Sequence, residues 1–537
     1  MVTDALAPSL DAACERWAGR PAITFAGRTI TYGELGARLR SLSHAYRRLG
    51  IRAGDRVLCQ LPNRTDHVTA MHAAWANGAI HVGADNDLTG PELVWLVGWT
   101  GAKAMLFQPR AGTADPLAPV RAVREAHPGT AVILQGEITA GWAGAPDSEV
   151  HLLDEMVGSD APSPAVPPRL GTEDTALLLL TSGTTGKPKG VRESLPHCWA
   201  KMQFFADAFR PTVEDVHLLY LPMGHVFGLR LALIPLLSGG RLVLLDRFSP
   251  EGALQLVGEE EVSVLSGMPT HFTLMLRALD PSRHDVAGLR WAISAATSLP
   301  RPLAEGIYDS LGVDLLYVYG CSEGFTTQTT DRDEILQGSV GDWVFRGPPG
   351  TAPDGSVAIL DPETGAPLPT GEVGEIAFGA VNPVRYWRAP DVAEDGWYHS
   401  GDLGRIDGDG RVFVLGRLKE LVNRGGLKVA PTEVETAIAK HPDVVDAAVV
   451  AVPDPVLSEA TCACIVPAGD ALPGLAEVRS FLAPFLARHK LPDELCIVPF
   501  IPRTQIGKVD RALLAAQIIG ENVPRERLRG PSAGPRT

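Results

Sequence analysis

The segment LLTSGTTGKPKG, residues 179–190, sets hydroxyls, flexible backbone and two lysines directly after the apolar run 176–180. A Gly-rich loop leaving a strand can aim backbone N–H groups at phosphate oxygens; Thr and Ser add donors, and Lys adds charge. Thr181, Ser182, Gly183, Thr184, Thr185, Gly186, Lys187 and Lys189 therefore form a candidate polyphosphate cradle. A Walker A loop is excluded. Gly183 and Gly186 are too close for G-x-x-x-x-G-K-[ST], and Pro188 stands where that motif needs the hydroxyl that reaches magnesium. On composition alone a plain surface loop remains open.

Other candidate residues lie downstream. Tyr319-Gly-Cys-Ser-Glu323 follows a strand-like run, and Ser400-Gly401-Asp402 has turn character. Gly320-Cys-Ser322-Glu-Gly324 also fits the nucleophile elbow of a serine hydrolase. Against that rival, FTTQTTDRDE makes a poor amphipathic helix and no HGG-type oxyanion segment occurs in the chain.

TSGTTGKPKG resembles the phosphate-binding loop of the adenylate-forming superfamily, which includes acyl- and aryl-CoA synthetases, peptide-synthetase adenylation domains and firefly luciferase. Further motifs follow in that family's order. Tyr319–Glu323 is similar to Y-G-x-T-E, Ser400–Asp402 to T-G-D, and Gly416-Arg417-Leu-Lys419-Glu420 to the hinge. Gly425-Gly426-Leu427-Lys428-Val-x-Pro431-x-Glu433-x-Glu435 then occurs in its place, and Arg503-Thr504-x-x-Gly507-Lys508-Val-x-Arg511 is similar to the terminal lysine motif. The resemblance covers about residue 10 to 515.

The resemblance implies a reaction in two halves: a carboxylate attacks the α-phosphorus of ATP, releasing pyrophosphate, and a thiol then displaces AMP from the acyl-adenylate. The thiol would belong to CoA or to the phosphopantetheine of a discrete acyl carrier protein. Lys508 would bridge carboxylate and α-phosphate. Glu323 would bind Mg²⁺, a hard cation suited to carboxylate and phosphate oxygens. Ser322 would keep the hydroxyl that reaches phosphate. Tyr319 would pack on adenine near Gly320, Cys321, Ala296, Thr297 and Ser298. Asp402 would accept from the ribose hydroxyls, with Arg417 beside it. Lys419 would be the hinge of a C-terminal domain that swivels to present Gly425, Gly426, Leu427 and Lys428 for the thiol step.

For the acid itself, Leu221-Pro-x-x-His225-Val-Phe227-Gly228 resembles the substrate gate. Ala295 and Ala296 stand where glycine is common, so a shortened or reshaped pocket is expected, lined from His225, Phe227, Gly228, Ala295, Ala296, Gly320, Cys321 and Phe325. Apolar walls suit an aryl or medium acyl acid. Amino-acid-activating relatives carry an Asp after the gate. Here FGLRLALIPLL offers Arg230 and no acid, so a substrate ammonium would lack its partner. Arg230 could instead face an anionic group or lie at the surface. An amine acceptor, a different acid or a catalytically silent nucleotide binder remain alternatives. DWVFRGPP, residues 342–349, and Arg385-Tyr386-Trp387 depart from the family and put the pocket lid in question.

The elements that must position these residues read as α/β. Thr31-x-x-Glu34 has the form of a capping box, followed by Leu35, Leu39, Leu42, Tyr46 and Leu49 on one face, with Gly50 as the stop. Short apolar runs at 57–61, 79–82, 104–107 and 131–134, then 242–245, 262–265, 291–294 and 315–319, predict buried strands between helices. From about 338 the texture becomes Gly/Pro-dense with short alternating runs. The expected architecture is α/β: a large N-terminal domain, 1–416, of two α/β subdomains plus a small β-barrel-like region (338–416). A small mobile α+β C-terminal domain, 417–521, and a disordered tail, 522–537, would follow.

Composition agrees with that class. The chain has 537 residues, 45% apolar and 21% charged, with net charge −15. That charge disfavours nucleic acid, and no apolar run approaches the roughly 18 residues of a membrane span. No basic-then-apolar leader opens the sequence. The seven cysteines are scattered, and the closest pair, Cys462 and Cys464, lacks zinc spacing. Reduced core thiols, a cytoplasmic location and a monomer or homodimer are expected.

Overall fold

The computed structural model describes residues 6–110, 113–136, 150–157, 170–171, 174–181, 189–323, 326–344, 357–379, 385–389, 397–469, 472–504, 508–520 and 523–527. Its first sheet orders Val150–Leu152, Ala131–Leu134, Ala104–Phe107, Arg56–Gln60, Ile80–Gly83, Thr175–Thr181 and Lys189–Ser194. All neighbours are parallel except the last pair, an antiparallel hairpin. Helices cover both faces, so the strands are buried on both sides and read as continuous apolar runs, not as alternation.

The second sheet has nine strands. Its parallel centre runs Asp314–Gly320, Trp291–Ser294, Val264–Gly267, Val216–Leu219, Arg241–Leu244 and Pro21–Phe25. The N-terminal hairpin Pro21–Phe25/Arg28–Thr31 closes one edge, far in sequence from its neighbour Arg241–Leu244. The other edge is antiparallel: Thr326–Thr329 turns back along Asp314–Gly320, and Trp343–Val344 follows. Four strands, Val357–Leu360, Gly374–Gly379, Trp397–Ile406 and Val412–Arg417, form an antiparallel sheet in that order. Among the described residues this is the small β region expected, seen as a sheet of four strands. The C-terminal region builds a six-stranded sheet of its own around Val444–Asp454 and Ser458–Pro467.

Thr31 caps the helix Tyr32–Arg48 as expected: its hydroxyl accepts from the Glu34 N–H at 3.2 Å, while Glu34 Oε2 accepts from the Thr31 N–H at 2.7 Å. Leu35, Leu39, Leu42 and Tyr46 are buried. A shorter helix, Leu10–Arg16, precedes it, so the first helix lies earlier than the capping signal suggests. The tail also needs correction. Arg525–Arg527 is a strand paired with Glu494–Ile497, because Glu494 accepts Arg525 Nη1 and Arg527 Nε at 2.9 and 2.8 Å. Opposite charges across a strand pair turn a polar stretch into an edge strand.

No described helix is long and apolar enough to cross a membrane. None of the seven cysteines is in a disulfide; Cys462 and Cys464 are buried core thiols. Burial also holds three imidazoles, His217, His225 and His271, at about 4. Their folded pKa lies below the unfolded value of roughly 6.5. Stability is therefore present above pH ~6.5 and lost as pH falls toward ~4, where the unfolded chain takes up protons first. Thermal denaturation across that window should show a falling Tm; a flat Tm would contradict this assignment.

Candidate active site

The Gly-rich loop closes the hairpin between Thr175–Thr181 and Lys189–Ser194, with Thr181 opposite Lys189. Residues 182–188 of the cradle, like Gly324, Phe325, Gly507 and most of 342–349, lie outside the described residues. A strand, not a helix, follows this loop, which separates it structurally from a Walker A loop. The segment 385–387 seats on the same hairpin. Trp387 N–H donates to Gly190 O at 2.7 Å, and Arg192 N–H donates to Arg385 O at 2.8 Å. The latter bond uses the Arg385 carbonyl, so the departure in side chain there does not disturb it. Tyr386 connects two predicted residues: its ring lies 5.4 Å from Lys189 Nζ, and its hydroxyl donates to Glu323 Oε1 at 3.2 Å. Glu323 is half-buried. An oriented carboxylate beside a lysine and a phosphate-type loop suits Mg²⁺.

Strand Asp314–Gly320 delivers Tyr319, whose hydroxyl donates to Asp402 Oδ2 at 2.7 Å. Arg417 Nε lies 3.0 Å from Asp402 Oδ1, because the two residues are cross-strand partners. Ser400-Gly401-Asp402 is held locally. Asp402 N–H donates to Ser400 Oγ at 3.0 Å, and Gly401, at φ 71°, donates to Glu375 Oε1 at 2.9 Å. Burial raises the Asp402 carboxyl, opposed by Arg417 and the Tyr319 hydrogen bond. A carboxylate has about four acceptor positions, so two partners leave room for ribose hydroxyls.

Lys508 reaches this cluster from the C-terminal sheet. A bridge between Arg503 and Val509, with Thr504 N–H donating to Lys508 O at 2.8 Å, makes a tight tip. Burial and Arg417 lower the Lys508 ammonium, while Asp402, Glu420 and Cys321 act in the opposite sense. Other motif residues build that tip's support. Arg503 pairs with Asp446 at 2.8 Å, Arg511 with Glu435 and Glu420 at 2.5 and 2.9 Å, and Lys490 with Glu433 at 2.6 Å. Lys508 also acts on His225, which caps the helix Val226–Ser238 by accepting from the Phe227 N–H at 3.4 Å. His225 is thus neutral at physiological pH.

By contrast, Gly425, Gly426, Leu427 and Lys428 are exposed in a hairpin turn, with Lys428 4.0 Å from Glu363. Lys419 is exposed in the turn Leu418–Glu420. Lys428 is thus paired toward Glu363, and Lys419 lies two residues beyond Arg417 in the chain.

On the acid side, Ala295 is buried and Ala296 is exposed at φ 78°, a conformation that favours glycine. Tyr317 OH holds the following turn, accepting from Leu299 N–H at 3.1 Å and donating to Thr297 O at 3.3 Å. Gly228 is a backbone contact more than a pocket wall: an added Cβ would lie 2.3 Å from Pro222 O and 2.8 Å from Leu221 O. Gly228→Ala should destabilise the fold by about 1–3 kcal/mol and raise KM for the acid. Denaturant titration and steady-state kinetics check this; wild-type values in both would contradict it.

Three residues invisible as a group in the sequence form a buried ion cluster beside the gate. Glu193 Oε1 accepts Arg230 Nη2 at 2.7 Å and Lys201 Nζ at 2.9 Å, with all three side chains at most 4% exposed. Arg230 is therefore not a surface residue. It acts electrostatically on His225, and Lys201 does so on Cys321. A second residue missed by sequence is Asn63, which grips the gate segment: Nδ2 donates to Leu221 O and Oδ1 accepts from Met223 N–H, both at 3.0 Å.

Comparison with known proteins identifies the family and the fold. The signature "AMP-binding enzyme" matches residues 10–385, and "AMP-binding enzyme C-terminal domain" matches 433–508. The chain is 34% identical to Triostin synthetase I of Streptomyces triostinicus, covering 94% of this chain and 92% of that one. It is 30% identical to Feruloyl-CoA synthase of an Amycolatopsis species, covering 91% and 94%. The solved structure of ATP-bound MatB from Rhodopseudomonas palustris superposes with TM-score 0.80 at 28% identity, covering 95% and 98%.

Proposed function

From the premise that the chain belongs to the adenylate-forming family of AMP-binding enzymes, we propose that it activates an aryl or medium acyl carboxylic acid with ATP, releases pyrophosphate and transfers the acyl group to a thiol. The observation that carries this reading is the Tyr319–Asp402–Arg417 constellation, in which Asp402 is held by the Tyr319 hydroxyl at 2.7 Å and by Arg417 Nε at 3.0 Å, with Lys508 near enough for its charge to act on Asp402 and Arg417.

The chemistry requires two anions to approach, so positive charge must be in place beforehand. Arg417 and Lys508 supply it, and Asp402 orients both the Arg417 guanidinium and the ribose. Lys189 and the Gly-rich loop would hold the pyrophosphate end. Glu323, steadied by Tyr386, would hold Mg²⁺, which supplies further neutralisation of the phosphates. Neutral His225 lies at the gate, where it can orient the carboxylate without adding charge. CoA or the phosphopantetheine of a discrete carrier then accepts the acyl group after the C-terminal domain, pivoting near Lys419, withdraws Lys508 and presents Gly425–Lys428.

The buried cluster supports a substrate other than an α-amino acid. Arg230 and Lys201 outnumber Glu193 beside the gate, so a substrate ammonium would meet repulsion. The serine-hydrolase alternative loses its geometry: an elbow leads into a helix, whereas Ser322 precedes the antiparallel strand Thr326–Thr329.

The test is pyrophosphate release with ATP and Mg²⁺ across a panel of carboxylic acids, with and without CoA. Release dependent on aryl or medium acyl acids and accelerated by CoA is the expected result. Acid dependence without a CoA effect would move the acceptor to a carrier thiol or an amine. Silence with retained ATP binding would identify a silent nucleotide binder.

A further inference from the structure

The face of the first sheet that packs on the helices Tyr32–Arg48 and Thr65–Ala76 holds a cluster outside the nucleotide site. Cys59 stands on the strand Arg56–Gln60, His81 on the adjacent strand Ile80–Gly83, and His67 in the first turn of the helix Thr65–Ala76. All three are buried, at 0%, 1% and 1% exposure. A ligand atom from each, Cys59 Sγ and one ring nitrogen of each histidine, lies within 4.8 Å of the other two. The register explains the convergence. Val57 pairs with His81 and Cys59 with Gly83, so Cys59 and His81 project from the same face of neighbouring parallel strands.

The donors are oriented as a metal site requires. His67 Nδ1 contacts Leu61 O at 3.0 Å, which sets the proton on Nδ1 and leaves the Nε2 lone pair directed inward. Among the described residues that Nε2 has no hydrogen-bond partner, and neither ring nitrogen of His81 has one. Three buried, unpaired imidazole nitrogens in one place are costly unless something satisfies them. Burial pushes the Cys59 thiol well above its ordinary range, and the Leu61 N–H, which hydrogen-bonds the sulfur, opposes that shift. One residue thus orients both a histidine and the cysteine.

We propose that Cys59, His67 and His81 bind a divalent ion of the zinc class as a structural site. Mixed sulfur and imidazole donors select a borderline-soft cation, and three protein ligands leave one tetrahedral position for a small fourth ligand. Binding exchanges the Cys59 thiol proton for the ion: an S–H bond is lost, a metal–sulfur bond forms, a proton leaves to solvent, and no electron moves. The thiolate cancels one of the ion's two positive charges. The site braces residues 60–64, the loop whose Asn63 grips the gate at Leu221 and Met223.

The experiment uses the full chain, purified without a metal-affinity tag. Elemental analysis should find zinc near one equivalent per chain after dialysis. Replacement by Co²⁺ should give a thiolate-to-cobalt charge-transfer absorption in the near ultraviolet. Cys59→Ser that stays folded by circular dichroism should lose that band. If Cys59→Ser does not fold, the wild-type cobalt spectrum decides. A wild-type chain that is metal-free and takes up neither Zn²⁺ nor Co²⁺ overturns the proposal. So does cobalt bound without a thiolate band, or a band that persists in folded Cys59→Ser.

Discussion

Lys508→Ala should lower acid-dependent pyrophosphate release by roughly 10²–10³-fold or more while ATP binding stays near wild type. The ammonium sits on a tip set by a bridge and one backbone hydrogen bond, Thr504 N–H to Lys508 O. Its removal therefore leaves the surrounding ion pairs of Arg503 and Arg511 in place. What is lost is a charge that acts on Arg417, Asp402 and Cys321, where carboxylate and α-phosphate would meet. On the proposed reading, ground-state ATP binding would rely instead on the Gly-rich segment, Tyr319 and Asp402. Lys508→Arg should restore little, because a planar guanidinium cannot replace a compact ammonium in a bridging position. ATP titration by calorimetry beside pyrophosphate kinetics separates the two effects; unchanged turnover in Lys508→Ala would contradict the assignment.

Glu193→Ala should destabilise the chain by about 3–5 kcal/mol, the usual cost of breaking a buried ion pair by removing one partner. Here the effect falls at the upper end of that range, since two cations, Arg230 and Lys201, would lose the same carboxylate. Burial alone would raise the Glu193 carboxyl, but Arg230, Lys201 and His197 together hold it at about 2. The sign follows: this stabilisation is complete above the unfolded carboxyl value of roughly 4.3 and is lost as pH falls toward ~2. The same substitution frees the gate helix from the strand that leaves the Gly-rich loop, so residual activity should show a raised KM for the acid. Denaturant titration checks the stability, and a change under ~0.5 kcal/mol would mean the cluster is not buried as described.

The proposed nucleotide half of the site is legible in sequence because each of its motifs is contiguous. Tyr319, Asp402, Arg417 and Lys508 come from four segments, yet each segment carries its own short pattern. The strands were legible for a related reason: burial on both faces turns each one into a short apolar run. The Glu193–Lys201–Arg230 cluster left no such trace. Its members come from a strand and two helices, and a charged residue in an apolar helix reads equally well as a surface residue. Cys59 and His81 are joined by strand register, and His67 comes from the helix Thr65–Ala76. Tyr386 steadies Glu323 across the Gly-rich hairpin, a contact no local spacing encodes. Arg525–Arg527 looked like a polar tail because its stabilising partner, Glu494, lies in another strand.

The central claim is that a carboxylate oxygen bonds to the α-phosphorus of ATP. The most direct measurement uses an acid active in the panel, labelled with oxygen-18 in its carboxylate, and follows one turnover by mass spectrometry. The label should appear in AMP, with unlabelled pyrophosphate. Label in inorganic phosphate with ADP as the nucleotide product, or no transfer of label to any phosphorus, would contradict the account.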